Sequence, residues 1–599
     1  MPVYGTNLKD NSQLLDTRYA LLIQNYLIEG VARMRKRGGQ TVNFDTGETD
    51  VITLSEEYRN GFDIEAYNQK VRAYDNTTGT FTDIKTNFTA NNGGWTGDRY
   101  GDYFFVNNFV DGLWRISRTL AYNAQTANFT VGKKITGATS GATAYILEDS
   151  DAGATGTLTL GNINPNPITG SYFVNGEIIT DDNGVPGSAT TNGTLSFAIT
   201  QVTAAPRGKV FKVIGKRAIL VNLATDEAGY NYSNADTGGN PPFSNWTTGT
   251  GFNDPGTGSS RNGGAATDVE LIGADIVFVG QQKGFYAFRI TQTVLANVTS
   301  KFDDPVQSRK DFPIYRCTST NIGMIVTTPS GIWKLNSLGQ TNVPYSDQWE
   351  CLTDDMGEDY FKTITFTNSD IAYDPNAGFI YVTCGKNSPT INNLVLAVKA
   401  NVPGVKETVK AGATSELIGW NIRIFMVSGN TIYGTSALKT IRYKLFTGQK
   451  DVNAKIHSEY LQELQISLNQ AFNMEEFYAN GELSPASNIE VSFDTFAEDG
   501  YYRAREARYE WVARFSYPSS GSESSGWGEA GWGEAGWGGG STSSGLIPTP
   551  TGARPKLRML SRVYLRFSSD DFSEHIINWF SADVTVVRQT RNRQLTKIT

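Results

Sequence analysis

IVFVGQQKGFYAFRI (276–290) reads as a β-hairpin: an apolar strand, a turn, a glycine, then a second strand in which aromatics alternate. The same order returns in YFFVNNFVDGLWRI (103–116), MIVTTPSGIWKLN (324–336), IAYDPNAGFIYVT (371–383) and IFMVSGNTIYGTSA (424–437). Successive side chains point to opposite faces of a strand, so Trp114, Tyr286, Trp333 and Tyr381 each fall on one face of the second strand. The last four copies begin at residues 276, 324, 371 and 424, at intervals of 48, 47 and 53. A strand-bearing unit repeating every roughly 40–50 residues is the signature of a β-propeller.

A weaker sixth copy, AILVNLATDEAGYNYSNADTGGNPPFSNW (218–246), keeps the first strand, Gly229 and the Tyr230/Tyr232 alternation. It starts at 218, far beyond one blade length from the copy at 103. The extra chain has its own repeat. FTVGKKITGATSGATA (129–144) is echoed by FVNGEIITDDNGVPGSATT (173–191), with TGTLTLGNI (155–163) between them. The expectation is a mainly β protein. A propeller of about six blades spans 61–127 and 201–445, and a small duplicated β-module at 128–200 interrupts it.

The chain has 599 residues, so several domains are expected; 39% of them are hydrophobic and 12% aromatic, enough for large cores. The net charge of −8 argues against a general nucleic-acid binder. No apolar stretch approaches the ~20 residues that span a bilayer. The opening MPVYGTNLKDNSQ lacks the basic-then-apolar order of a signal peptide. Three cysteines, Cys317, Cys351 and Cys384, argue against a disulfide framework and for synthesis in a reducing compartment. With two histidines, His457 and His575, and no His/Cys cluster, no metal site or cofactor is expected.

Outside the repeat, residues 1–60 form an N-terminal segment. SQLLDTRYALLIQNYLIEG (12–30) has apolar residues at helical spacing, closed by Gly30. Arg33, Arg35 and Arg37 follow at alternate positions and would share one strand face. That face reads either as a solvated edge strand or as a basic patch for an acidic partner or nucleic acid. Residues 446–599 read as a C-terminal β-rich assembly domain, in which 457–472 mixes helical and strand periodicity and leaves a short helix or a strand open. A Gly/Trp-rich loop, 520–545, repeats WGEAG between two strands of this domain. Trp527, Trp532 and Trp537 lie in a tract with almost no other bulk, and Glu529 and Glu534 recur in phase with them. Burying an indole is worth about 2–3 kcal/mol, so these residues are candidates for an interface or gate.

Catalytic signatures are missing. The carboxylate pairs Asp181/Asp182, Asp303/Asp304, Asp354/Asp355 and Asp570/Asp571 read as solvated turns. No GxSxG elbow, Gly-Lys-Ser/Thr phosphate loop or EF-hand loop occurs. No catalytic residue is expected and the chain does not read as an enzyme.

The order of parts carries a resemblance. A segment ending in Arg/Lys and Gly-Gly precedes the blades; GYNYSNAD (229–236) leads on to Trp246, and GFYAFRI (284–290) and SGIWKLN (330–336) follow. Together these resemble the tail nozzle proteins of short-tailed bacteriophages, also called tail tubular protein B. The duplicated module is similar to small domains that recur in phage tail proteins. The resemblance implies a homohexameric ring in the virion tail, made in the host cytoplasm. Such a ring conducts genomic DNA without sequence specificity and joins a tail adaptor protein to fibres or spikes. An acidic lumen would let DNA slide, the opposite of phosphate neutralisation. Two other classes stay open: a receptor-binding or baseplate propeller holding host glycans, and a propeller glycosidase or lyase.

Overall fold

In a computed structural model the described residues are 20, 22–30, 33–59, 61–90, 94–234, 236, 241–246, 263–273, 276–289, 307–309, 312–336, 348–388, 390–400, 412–447, 451, 456–464, 470–483, 488–497, 511–516, 547–553, 557–571 and 575–589. The protein is mainly β, with a β-propeller arrangement of small antiparallel sheets beside larger ones. Five small sheets stand by themselves. They start at Leu54–Glu57, Gly208–Ile214, Ala266–Ile272, Arg316–Thr320 and Ile422–Ser428, and each contains three or four strands. Two further meanders of the same form are built into larger sheets, beginning at Trp95–Tyr100 and Ile371–Asp374. The chain divides into two compact units, 1–45 with 320–336 and 343–599, and 46–319 with 337–342.

The aromatic repeat holds in register. Trp114 pairs with Val106, Tyr286 with Val279, Trp333 with Val326, Tyr381 with Ala372 and Tyr433 with Met426. Each aromatic is the third residue of its strand: Gly112–Ala127, Gly284–Arg289, Gly331–Leu335, Phe379–Lys386 and Thr431–Ser436. Their burial differs, since Tyr286 and Tyr381 are buried while Trp114, Trp333 and Tyr433 are partly exposed. The glycine opening a second strand has a steric reason at Gly331, whose φ is 131° and where a Cβ would lie 2.5 Å from Thr353 Oγ1.

The meander at 54–85 carries Arg72 at the third position of its strand Lys70–Asp75, and so escapes an aromatic pattern. It is a four-stranded sheet all the same.

The duplicated module closes its two halves on each other. Strands Lys134–Gly137 and Ile178–Asp181 pair antiparallel about Thr136 and Thr180. Backbone bonds repeat between the halves. Gly132 N–H to Ile146 O (2.8 Å) matches Gly176 N–H to Thr191 O (3.1 Å), and Gly137 N–H to Ala142 O (2.9 Å) matches Asp181 N–H to Gly187 O (3.0 Å). Phe129 and Phe173, Ile135 and Ile179, and Ala144 and Ala189 meet in one core. Yet the module shares a strand with its blade. Gly112–Ala127 runs through both, pairing with Ser196–Gln201 over residues 114–119 and with Gly156–Asn164 over 118–122. Residues 196–201 therefore complete the blade sheet, and all but Gln201 lie inside the 128–200 span read from sequence as module.

The helix expected within 12–30 is not formed over the described residues. Leu22–Gln24 and Tyr26–Gly30 are strands, separated by Asn25 at φ 56°. Ile23, Tyr26, Leu27 and Ile28 are all buried. A strand buried on both faces is apolar without alternation, which periodicity cannot distinguish from a helix. Of the two periodicities mixed in 457–472, the strand one is realised over the described residues, in Ile456–Leu464 and Gln470–Leu483.

N-terminal and C-terminal strands share one fifteen-stranded sheet. Leu22–Gln24 lies between Thr414–Ile418 and Ile456–Leu464, and Arg33–Lys36 lies between Tyr26–Gly30 and His575–Gln589. Gln40–Asp45 instead pairs with Ile441–Leu445 as the fourth strand of the meander that opens at Ile422. The described strands within 22–45 are thus divided between two sheets.

Candidate functional site

The three arginines separate. Arg33–Lys36 is an interior strand, so the edge-strand reading fails. Arg33 and Arg35 both reach Glu29, at 3.4 and 2.7 Å, and remain partly exposed. Arg37 lies beyond the strand end and is buried. Its guanidinium forms two bonds to Asp451, 2.8 and 2.6 Å, and another to Asn25 Oδ1, 2.7 Å. Its carbon centre stands 4.3 Å from the Trp420 ring, whose Nε1 also donates to Asp451, at 2.8 Å. A planar cation held by a planar anion and an aromatic face is a structural joint. No local pattern in the sequence points to Asp451 as its partner. Trp527, Trp532, Trp537, Glu529 and Glu534 lie outside the described residues.

Sequence reading missed a cluster on the first strands of successive meanders. Lys212 Nζ lies 3.2 Å from Glu270 and 3.9 Å from Asp98, with Glu56 in electrostatic range. Burial works against the ammonium, but Glu270 and Asp98 overcome it and hold its pKa above the ordinary value. Burial pushes the Glu270 carboxyl up, and Lys212 opposes that shift.

The aspartates of these strands also act as staples. Asp98 accepts the Val213 N–H at 3.0 Å, and Asp268 accepts the Cys317 N–H at 2.8 Å. In the other unit Asp370 accepts the Phe425 N–H at 2.7 Å. Each bond ties one meander to the first strand of the next. Asn107 and Asn222 add a second tie by donating to the carbonyls of Gly208 and Ala266, at 2.9 and 2.7 Å.

Other buried acids are similarly occupied. Glu416 accepts from Tyr360 (2.6 Å), Lys386 (2.5 Å) and Gln24 (3.1 Å). Asp181, read from sequence as part of a solvated turn, is buried and accepts the N–H groups of Thr130, Asn183 and Gly187. Cys317 and Cys384 are buried, and burial pushes both thiols up, away from nucleophilic thiolate. Among the described residues no group of three His, Cys, Asp or Glu could hold a metal ion.

The module carries a row of hydroxyls. Thr143, Thr136, Thr180 and Ser188 are cross-strand neighbours on four strands. Thr136 and Thr180 are exposed, as are Tyr145 and Ile178 on the flanking positions of the same sheet.

No family model matches the chain, and no curated protein matches it. Among solved structures it is similar to the β-propeller domain of Cps50 (Swd1) from Myceliophteria thermophila, with 9% identity, a TM-score of 0.35, and 68% of this chain and 98% of that one covered. The computationally designed Ika8 protein matches at 9% identity and a TM-score of 0.32, covering 68% of this chain and 100% of that one. The extracellular domain of BT4673, a one-component system of B. thetaiotaomicron, matches at 11% identity and a TM-score of 0.34, covering 80% and 46%.

Proposed function

We propose that the chain is a structural subunit of a bacteriophage tail, a nozzle that conducts DNA and connects a tail adaptor to fibres or spikes. The observation that carries this reading is the motif order, GYNYSNAD to Trp246 followed by the hairpins at 284–290 and 330–336, which resembles tail nozzle proteins. In this reading the meanders are the blades of a β-propeller. The six hairpins seen in sequence give about six blades, and the sheet at 54–85 is a further meander of the same form. The chain from 446 to 599 serves as the assembly platform. Repeated staples between meanders support a rigid scaffold, and the occupied acids support a role without catalysis. The net charge of −8 suits a lumen that DNA passes without sticking.

Six copies would form the ring, as the resemblance to tail nozzle proteins implies; a head-to-tail interface makes a ring when its rotation closes. The WGEAG loop supplies contact area in this reading: Trp527, Trp532 and Trp537 lie against a neighbour or the channel wall, with Glu529 and Glu534 beside them. A triple Trp→Ala variant tests this. It should fail to assemble or to retain DNA, whereas assembly and DNA retention equal to the parent would remove the loop from the interface.

One observation favours the second reading, a receptor-binding or baseplate propeller. The hydroxyl row Thr143, Thr136, Thr180 and Ser188, exposed at Thr136 and Thr180 and beside Tyr145, suits a polyhydroxylated ligand. Binding of host surface polysaccharide without ring formation would favour it over the nozzle.

A further inference from the structure

Arg118 sits where the module leaves its blade. On the shared strand it pairs at once with Phe197 of the blade and Leu160 of the module. It is 9% exposed, and its guanidinium carbon lies 4.6 Å from the Phe62 ring and 4.4 Å from the Phe197 ring. Among the described residues no carboxylate, carbonyl or hydroxyl accepts a hydrogen bond from it, and its Nε is buried without an acceptor. Other buried arginines differ. Arg37 holds Asp451, Arg217 donates to Ser233 O at 2.9 Å, and Arg442 donates to Asn43 Oδ1 at 2.7 Å. Burial works against the Arg118 charge, offset by the nearby Tyr58, Tyr172 and Asp75.

We propose that Arg118 receives the carboxylate of an acidic sugar. The Phe62 and Phe197 rings lie against the guanidinium, and a guanidinium has the fork geometry that takes a carboxylate in two parallel bonds. The groups in electrostatic range fit the rest of such a ligand. Tyr58 is engaged, its hydroxyl donating to Asp102 O at 2.5 Å. Tyr172 is 38% exposed and offers a ring face and a hydroxyl. The Asp75 carboxylate caps its own turn through the Thr77 and Thr78 N–H groups and is an acceptor for sugar hydroxyls. A carboxylate accompanied by hydroxyls therefore fits better than a bare anion. The inference rests on Arg118 and stands apart from ring assembly and DNA conduction.

The test is calorimetric titration of the full chain with sodium glucuronate, with glucose and acetate as controls. Saturable glucuronate binding in about the millimolar range is expected, with glucose and acetate each at least about tenfold weaker. Arg118→Met should weaken glucuronate binding by about tenfold or more while the protein still melts cooperatively. Tyr172→Ala changes an exposed residue and provides the second measurement if Arg118→Met fails to fold; it should weaken binding severalfold. No saturable binding by the parent would overturn the proposal. So would acetate or glucose binding as tightly as glucuronate, or unchanged affinity in a folded Arg118→Met or Tyr172→Ala variant.

Discussion

The Asp268 carboxylate takes the backbone N–H of Cys317 at 2.8 Å, so a side chain of one meander closes a backbone bond of the next. Asp98 does the same for Val213, and Asp370 for Phe425. A strand can pair only with its neighbours in its own sheet. An acidic residue on the first strand satisfies a donor that sheet pairing leaves open.

Asp268→Ala should therefore destabilise the protein by about 1–3 kcal/mol, the cost of leaving a buried donor unsatisfied. Asp268→Asn retains an acceptor oxygen and should lose less. Urea unfolding of both variants measures the difference. Equal stability of Asp268→Ala and the parent would show that water satisfies the Cys317 N–H.

The shared strand determines where the module can be removed. Thr119 and Ser196 are a cross-strand pair with their hydroxyls 3.0 Å apart. Replacing 120–195 by an Asn-Gly hairpin turn should leave a complete four-stranded blade and a cooperative melt. Deleting 128–200 removes nearly all of Ser196–Gln201 and should broaden the melt or lower its midpoint. Differential scanning calorimetry distinguishes the two, and identical behaviour would contradict the role of that strand.

Buried phenols set an alkaline limit. Burial pushes the Tyr67 phenol up to about 12, and burial with the Asp236 hydrogen bond pushes Tyr100 up to about 12. Tyr58, Tyr286, Tyr381 and Tyr460 are also raised, each chiefly by burial. A phenol whose folded pKa exceeds its unfolded value contributes fully below the ordinary pKa of about 10, and that contribution is lost as pH rises through the folded value. The melting temperature should fall between about pH 10 and 12, and phenolate absorbance at these sites should rise with unfolding. Full phenolate absorbance at about pH 11 in the folded protein would contradict it.

The blade hairpins were legible because one local rule produces them: a turn, then an aromatic at the third strand position. Trp114, Tyr286, Trp333 and Tyr381 all obey it. The module was legible because its two halves repeat residue by residue, from Phe129 and Phe173 to Ala144 and Ala189. Residues 22–30 misled because their two buried faces erase alternation. The Arg37–Asp451 bond, the Lys212 cluster and the solitary Arg118 depend on residues brought together across the fold. Residues 61–85 read as part of the first blade and not as a meander of their own, because Arg72 stands where its relatives carry an aromatic.

The proposed nozzle stands or falls on copy number. The direct measurement is the mass of the particle this chain forms once assembled, by native mass spectrometry, with images of the same sample. A closed ring of six chains is the result the nozzle requires. A particle containing one copy, or a trimer without a ring, would contradict it.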